Sequence, residues 1–130
     1  MSIDLDILLE QAQAASEKAY APYSGFRVGA ALLCADGSVV TGCNVENSSY
    51  SLTICAERNA LFAAVNMGKR DFLALAIYVD SDEIFPPCGA CRQVLAEFSP
   101  HLQILYANRL GSILSDLETL LPQAFVLHGQ

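Results

Sequence analysis

Three cysteines and one glutamate have the residue types and spacing for metal chemistry. Cys88 and Cys91 stand three positions apart at the start of a predicted helix, which lets both sulfur atoms face one point. Cys55 also begins a predicted helix, and Glu57 follows it two positions later. A catalytic zinc ion takes three protein ligands and leaves its fourth position open. The pattern therefore predicts one Zn²⁺ held by the three cysteines, with Glu57 as a general base toward water at the open position.

The charge of such a site also has to be balanced. Three thiolates outweigh the charge of one Zn²⁺ and would weaken the ion as an electrophile. The positive ends of the two predicted helices and the guanidinium of Arg58, next to Glu57 in sequence, are placed to offset this excess. We therefore expect Arg58 to lie behind the ligands without binding the metal.

Each of these features also has a simpler interpretation. Cys-x-x-Cys occurs in redox pairs and in structural zinc sites as well as in catalytic ones. A lone cysteine in an apolar stretch is usually a core residue, and a glutamate in the first turn of a helix is usually a surface group. A purely structural zinc site would need a fourth ligand, for which Cys43 is the only nearby thiol. The combination of the two motifs favours a catalytic site.

Local sequence patterns predict the elements that would position these residues. The order is α, β, β, α, β, α, β, α, which implies a mixed sheet with helices packed against it. Asp4 is a plausible N-cap of the first helix, Asp36-Gly37 suits a hairpin turn, and Gly68 a helix end. The predicted helices cover 4–20, 55–67, 88–98 and 116–121, and the predicted strands cover 26–34, 39–45, 72–80 and 102–107.

Length and hydropathy set the class of protein. The 130 residues suit a single domain, which we place over residues 1–130. The hydrophobic fraction is 53% and only 16% of residues are charged, which indicates an additional buried surface between subunits. The longest apolar run, 72–79, is too short to span a bilayer, and the N-terminus carries Asp4 and Asp6. We expect no membrane partner and a cytoplasmic location.

The net charge and the cysteine count limit which classes of binding partner and which cysteine chemistry the chain is expected to have. A formal charge of −7 without any Lys/Arg stripe disfavours nucleic acid, which is held mainly by neutralising its phosphates. A small uncharged ligand fits better. Five cysteines are an odd number in a chain without a recognisable secretory signal, so metal binding or catalysis is favoured over a disulfide framework.

Together, Cys-Ala-Glu at one helix start and Pro-Cys-x-x-Cys at another form the pattern of zinc nucleobase deaminases with three cysteine ligands. Over nearly its whole length the sequence resembles the small, homotetrameric, zinc-dependent cytidine deaminases of pyrimidine salvage. The resemblance rests on stretches 20–24, 26–32, 42–47, 55–58, 87–93 and 120–122, with Phe125.

The resemblance implies a fold, a cofactor and a substrate site. The fold is a three-layer α/β/α sandwich around a five-stranded mixed sheet, with one Zn²⁺ in each subunit. By resemblance, Asn44 and Glu46 bind the ribose hydroxyls, Phe26 packs near the nucleoside, and the backbone of Ala56 contacts the pyrimidine carbonyl. In the homotetramer, Tyr50 and Phe125 would close the pocket of a neighbouring subunit, so that active sites are shared.

The expected reaction is the hydrolytic deamination of cytidine and 2′-deoxycytidine to uridine and 2′-deoxyuridine with release of ammonia. Glu57 would move the protons. Two alternatives stay open. One is a related zinc deaminase that acts on a modified nucleoside or on a base within nucleic acid, and the other is a non-enzymatic module in which zinc only supports the fold.

Overall fold

The structure, a computed structural model, describes residues 3–127 and shows one five-stranded mixed sheet with four α-helices. The ends of the predicted domain, 1–2 and 128–130, lie outside the described residues. The strand order is β2-β1-β3-β4-β5, with β3 and β4 parallel and the other neighbours antiparallel. The strands are β1 (Val28–Cys34), β2 (Val39–Cys43), β3 (Phe72–Val79), β4 (Gln103–Ala107) and β5 (Ser112–Asp116), and the helices are α1 (Leu5–Ser16), α2 (Ala56–Asn66), α3 (Gly89–Phe98) and α4 (Leu117–Leu120).

Helices cover both faces of the sheet. On one face, Leu8 and Ala12 of α1 pack against Ala31 of β1 and Ala76 of β3. On the other face, side chains of α2, α3 and α4 pack against the alternate residues of the same strands, including Leu32. Successive residues of a strand point to opposite faces, so β1 and β3 contribute to both cores. This arrangement confirms the expected three-layer α/β/α sandwich.

Two glycines let the helices lie directly on the β1–β2 hairpin. A Cβ atom at Gly29 would stand 1.9 Å from the carbonyl oxygen of Ala12 in α1. A Cβ atom at Gly42 would stand 2.5 Å from the backbone nitrogen of Ala60 in α2. Any side chain at either position would push a helix off the sheet, and α2 carries part of the candidate site.

Most predicted elements are present, with shorter bounds. Asp4 caps α1 as predicted, since its Oδ1 accepts hydrogen bonds from the amides of Asp6 and Ile7 at 3.1 Å. Strand β3 is buried at every position except Leu73, as expected for a central strand. Gly37 and Gly68 both have a φ of +88° where the hairpin turns and where α2 ends.

The local patterns were wrong about one strand. They predicted four strands and none between 107 and 116, whereas residues 112–116 form β5, the fifth strand that the resemblance implied. This edge strand has three exposed residues and no apolar run, so its sequence carries little strand signal. A 3₁₀-helix at Tyr50–Leu52 was also not predicted.

The first hairpin is shorter than predicted at both ends that face the site. Strand β1 begins at Val28 instead of residue 26, and β2 ends at Cys43 instead of residue 45. The residues just outside the ladder are Phe26, Asn44 and Glu46, which are thereby free to line a cavity.

None of the helices within residues 3–127 has both the length and the apolar character needed to cross a membrane.

Candidate metal centre and adjoining cavity

The sulfur atoms of Cys55, Cys88 and Cys91 converge between two helix N-termini. Cys55 is the N-cap of α2 and Cys88 is the N-cap of α3, and both have extended backbone conformations. The Sγ of Cys88 lies 3.6 Å from that of Cys55 and 3.2 Å from that of Cys91. All three sulfur atoms lie within 4.8 Å of one another, so the structure brings together the residues that the two motifs predicted.

The donor set fits a zinc ion. Tetrahedral zinc with Zn–S bonds of about 2.3 Å requires sulfur atoms roughly 3.8 Å apart. The Cys55–Cys88 separation of 3.6 Å is close to that value and the Cys88–Cys91 separation of 3.2 Å is shorter, and within residues 3–127 the cluster contains three potential ligand side chains. Three thiolates with no fourth side chain match the ligand count of a catalytic site, not that of a closed structural one.

Neighbouring groups favour a negative charge on Cys55. A hydrogen bond from the thiol of Cys91 and another from the guanidinium of Arg58 lower the pKa of Cys55 to about 5. The hydrogen bond between Cys91 and Cys55, together with burial, raises the pKa of Cys91. Arg58 Nη2 lies 3.6 Å from the Cys55 sulfur, and its own pKa is raised chiefly by that hydrogen bond. The structure therefore places the Arg58 guanidinium against the Cys55 sulfur.

Glu57 is a buried carboxyl group next to this cluster. It lies in the first turn of α2, is 5% exposed, and lines the cavity described below. Burial raises its pKa to about 7, and the charge of Cys55 adds to the shift. A carboxyl group with such a pKa exchanges protons readily at neutral pH, which is the property of a general acid and base.

A cavity of about 360 Å³ opens above Glu57 and the cysteines. Its volume and largely apolar wall are typical of a site for a small organic molecule. The apolar lining consists of Phe26, Val28, Ala56, Val79, Phe85 and Pro86, and the polar lining of Ser24, Asn44, Glu46, Tyr50, Thr53, Cys55, Glu57 and Cys88. Cys91, which is fully buried, lies behind this surface.

Glu46 forms the polar end of the cavity and is 6% exposed. Its Oε1 accepts hydrogen bonds from the backbone amides of Tyr23 and Ser24 at 3.0 and 3.1 Å. Its Oε2 accepts a short hydrogen bond from the hydroxyl of Ser24. The hydroxyl contributes most to lowering the pKa of Glu46, with the two amides adding to it. Glu46 is therefore a fixed carboxylate.

Asn44 and the aromatic pair complete the wall. Asn44 donates from Nδ2 to the carbonyl oxygen of Phe26 at 2.8 Å and accepts at Oδ1 from the amide of Val28 at 2.9 Å. These bonds hold the chain where it enters β1 and leave one N–H of Asn44 for other partners. The rings of Phe26 and Phe85 meet edge to face, with centroids 4.9 Å apart.

Three further predicted residues differ in their placement. Ala56, fully buried at the start of α2, lines the cavity. Tyr50 lines the cavity of its own chain and is 64% exposed, and its expected part in closing a neighbour's pocket stays a prediction. The 3₁₀-helix at 50–52 holds Tyr50 at the mouth of this cavity. Phe125 is 71% exposed and away from the cavity, and Gln93 Nε2 donates to its carbonyl oxygen at 3.0 Å.

The sequence patterns assigned no role to several cavity residues. Ser24 lies in the stretch 20–24 that supports the resemblance, but a serine in a Pro-Tyr-Ser-Gly turn carries no functional signal by itself. Phe85 precedes Pro86-Pro87 and could have been noticed as an aromatic residue close to the Cys88 motif. Val28 and Val79 are ordinary strand residues whose role depends on their position at strand ends.

Comparison with known proteins gives consistent matches over most of the chain. The sequence model of the cytidine and deoxycytidylate deaminase zinc-binding region matches residues 3–107. A cytidine deaminase of Halalkalibacterium halodurans is 50% identical over 125 residues, which are 95% of each chain. The crystal structure of a cytidine deaminase from Burkholderia pseudomallei has a TM-score of 0.90 and 49% identity, covering 95% of this chain and 100% of that one. That of Mycobacterium tuberculosis has a TM-score of 0.85 and 45% identity, covering 97% and 100%.

Proposed function

The chain belongs to the cytidine and deoxycytidylate deaminase family, and we propose that it hydrolyses cytidine and 2′-deoxycytidine to the corresponding uridine nucleosides and ammonia. The observation that carries this proposal is the buried carboxyl group of Glu57, which lines a nucleoside-sized cavity beside three converging cysteines. A zinc-only structural role would not need a base of this kind. The single domain of residues 1–130 would contain the complete set of metal and proton-transfer residues.

Cys55, Cys88 and Cys91 are the proposed ligands of one Zn²⁺ per subunit. When bound, zinc supplies Lewis-acid activation of water, whose pKa it lowers from ~15.7 to ~7 in carbonic anhydrase. Arg58 donates to the Cys55 sulfur and so reduces the negative charge that three thiolates place on the site. The ligands come from two helix N-termini, whose partial positive charge acts in the same direction.

Glu57 is the proposed proton carrier. It accepts a proton from water while the water oxygen bonds to C4 of the pyrimidine, and it delivers that proton to N3. It then passes the second proton of the water to the amino group, the C4–N bond breaks, and ammonia leaves. Because its pKa is about 7, Glu57 can both accept and release a proton at neutral pH. The apolar wall excludes bulk water from these transfers.

The other side chains of the cavity bind and orient the nucleoside. Glu46 and the free N–H of Asn44 are the proposed partners of the sugar hydroxyls, and Phe26 packs against the base or sugar. The backbone of Ala56 is the proposed partner of the pyrimidine carbonyl. Amides in the first turn of a helix have no acceptor within that helix, so the start of α2 is a suitable donor.

The cavity favours a nucleoside over a nucleotide. No Lys or Arg lines it among the described residues, and its polar end carries the fixed carboxylate of Glu46. A 5′-phosphate would therefore bring charge into a site without a compensating cation. We propose that deoxycytidylate, although named in the description of the family, is a poor substrate.

A spectrophotometric deamination assay, run alongside zinc stoichiometry, tests the proposal. Cytidine and 2′-deoxycytidine should be turned over, free cytosine and deoxycytidylate should be turned over far more slowly, and one zinc should be bound per chain. Free cytosine should be disfavoured because it leaves the buried Glu46 without its sugar partner, and such unpaired polar groups discriminate strongly between substrates. Similar efficiency with cytosine and cytidine would contradict the role of Glu46, and zinc binding without any deamination would favour a structural module.

The proposed assembly is a homotetramer in which subunits complete one another's active sites. Large apolar side chains are exposed on the single chain at Tyr50, Leu52 and Phe125, which supports a further buried surface. Phe125 is the proposed contribution to a neighbouring cavity, since it does not line its own. The thiol-rich metal centre requires a reducing environment, which supports a cytoplasmic location. A monomeric mass in solution at micromolar protein would contradict the tetramer.

A further inference from the structure

The hydroxyl group of Ser24 occupies a hydrogen-bonded position between two residues of the cavity. It donates to Oε2 of Glu46 and accepts from the backbone amide of Phe26 at 3.0 Å. These directions are forced, because a carboxylate can only accept and an amide N–H can only donate. The proton of the Ser24 hydroxyl is therefore fixed toward Glu46.

The hydrogen bonds to Glu46 determine which acceptor positions of its carboxylate stay open for a ligand. A carboxylate has about four acceptor positions. The amides of Tyr23 and Ser24 occupy Oε1, and the hydroxyl of Ser24 occupies one position of Oε2. What remains for a ligand is essentially one acceptor position on Oε2, the oxygen that Ser24 holds.

The same hydroxyl also holds the main chain beneath the Phe26 ring. The amide of Phe26 is bonded to Ser24 and its carbonyl oxygen is bonded to Asn44. Phe26 and Glu46 are thus tied into one hydrogen-bonded unit through Ser24, although they lie on opposite sides of the β1–β2 hairpin in sequence.

We propose that Ser24 is the positioning residue for sugar recognition: it aims the one open acceptor of Glu46 at a ribose ring hydroxyl and fixes Phe26 relative to it. This inference rests on the proposed function, because it names how the same cavity selects a nucleoside. Ser24 acts through Glu46, and it takes no part in proton transfer at the base.

The test compares Ser24→Ala with the unmodified enzyme on cytidine and on 2′,3′-dideoxycytidine, which lacks both ring hydroxyls. For cytidine, KM should rise about tenfold with kcat little changed, since a hydrogen bond to a charged group is worth roughly this factor or more. For the dideoxy substrate, Ser24→Ala and the unmodified enzyme should have similar kcat/KM. Ser24→Thr, which keeps the hydroxyl, should recover most of the lost affinity for cytidine.

Ser38→Ala is the matched control. Ser38 also donates its hydroxyl to a carboxylate, that of Asp36, at 2.6 Å, but on the exposed hairpin turn away from the cavity. The Ser38→Ala variant should have the kcat/KM of the unmodified enzyme on both substrates. Zinc content and thermal unfolding of all three variants show whether each is folded.

The outcomes separate the inference from the proposed function. An equal loss of kcat/KM on cytidine and on the dideoxy substrate would mean that Ser24 only supports the loop, and would overturn the inference alone. If Ser24→Ala does not fold, Ser24→Gly, which also lacks the hydroxyl, takes its place. An unchanged ratio of kcat/KM for cytidine to kcat/KM for the dideoxy substrate in that variant would overturn the inference, and a reduced ratio would support it. Failure of the unmodified, zinc-loaded protein to deaminate cytidine would instead overturn the proposed function and the inference with it.

Discussion

Glu57 and Glu46 line the same cavity and are exposed to solvent to nearly the same small extent, yet their pKa values move in opposite directions. Glu57 is 5% exposed and Glu46 is 6% exposed. Burial and the charge of Cys55 raise the pKa of Glu57 to about 7, whereas hydrogen bonds, first from the Ser24 hydroxyl, lower the pKa of Glu46. Low solvent exposure alone therefore does not decide the charge of a carboxyl group. The depth of the group in the protein, which is greater for Glu57, and the donors supplied by neighbouring chain segments decide it together.

This difference distinguishes a proposed metal end of the cavity, at Glu57 and the cysteines, from a proposed sugar end, at Glu46. At the metal end, Glu57 can change its protonation state, as proton transfer requires. At the proposed sugar end, hydrogen bonds lower the pKa of Glu46 and hold its carboxylate in place, which suits an acceptor for a neutral hydroxyl. Two carboxyl groups whose environments separate their pKa values are a general sign of distinct roles in one active site.

The largest effect is expected when the metal end loses its first ligand. Cys55→Ala should abolish zinc binding and activity and lower the unfolding temperature, because Cys55 is one of only three converging thiols. Cys43→Ala, which removes a half-buried thiol outside the cluster, should keep both zinc and activity. Metal analysis of the purified variants checks this, and full zinc occupancy in Cys55→Ala would show that the centre has been assigned wrongly.

Removing only the exchangeable proton of Glu57 should have the next largest effect. Glu57→Gln keeps the shape of the side chain and leaves the three cysteines in place, so zinc should remain bound. Turnover of cytidine should fall by about 10²- to 10⁴-fold, the usual contribution of a positioned acid and base. Steady-state kinetics measure the loss, and a variant that retains more than about a tenth of kcat would refute the proton-transfer role.

The two carboxyl groups should also give opposite pH dependences of stability in the metal-free, reduced protein. The pKa of Glu57 is raised from 4.5 to about 7, so the folded state binds the proton more tightly and Glu57 costs stability as pH rises through that range. This cost, absent from Glu57→Gln, amounts to about 3 kcal/mol above neutral pH.

Glu46 has the opposite sign. Its pKa is lowered from 4.5, so it stabilises the folded state above that value and loses this contribution as pH falls through its folded pKa. Glu46→Gln should therefore be destabilising at neutral pH and less so in acid. Denaturant unfolding of the metal-free variants over a pH series measures both effects. For each variant, the free energy of unfolding is compared with that of the unmodified protein at every pH. If this difference changed in the same direction with pH for both variants, the opposite pKa shifts of Glu57 and Glu46 would be wrong.

The smallest expected effect is that of Glu46→Gln on substrate binding. The amide oxygen of glutamine can replace Oε1 and accept from the Tyr23 and Ser24 amides, but its NH₂ group then stands where Oε2 faced the sugar. A donor replaces an acceptor, so KM for cytidine should rise about tenfold while turnover at saturation changes little. The ratio of cytidine to cytosine efficiency is the sensitive measurement. An unchanged ratio would show that the sugar is recognised elsewhere.

The metal end was predictable because each of its residues belongs to a short motif. Cys88 and Cys91 are one helical turn apart, and Glu57 is two residues from Cys55, so local geometry already places them in pairs. The sugar end depends on contacts between distant segments, such as the bonds from residues 23 and 24 to Glu46. The resemblance named Glu46 and Asn44, but it assigned no role to Ser24 or Phe85.

The fold shows the same division between local and distant information. The centre of the sheet was readable because β3 is buried on both faces and consists of apolar residues. Strand β5 was missed because its stability comes from pairing with β4, and an exposed edge strand needs no apolar pattern. The 3₁₀-turn that holds Tyr50 at the mouth of its own cavity likewise gave no signal in the sequence patterns.

By itself, the sequence determined the chemistry that this chain can carry out: three thiols and a carboxyl group at two helix starts, an apolar central strand, and a surface unsuited to polyanions. The tertiary structure alone decided the charge state of each buried carboxyl group and the direction in which its free lone pairs point. The physical reason is that the pKa depends on how deep the group lies and that pKa and hydrogen-bond capacity both depend on which donors approach within bonding distance. For Glu46 those donors lie more than 20 positions away in the chain.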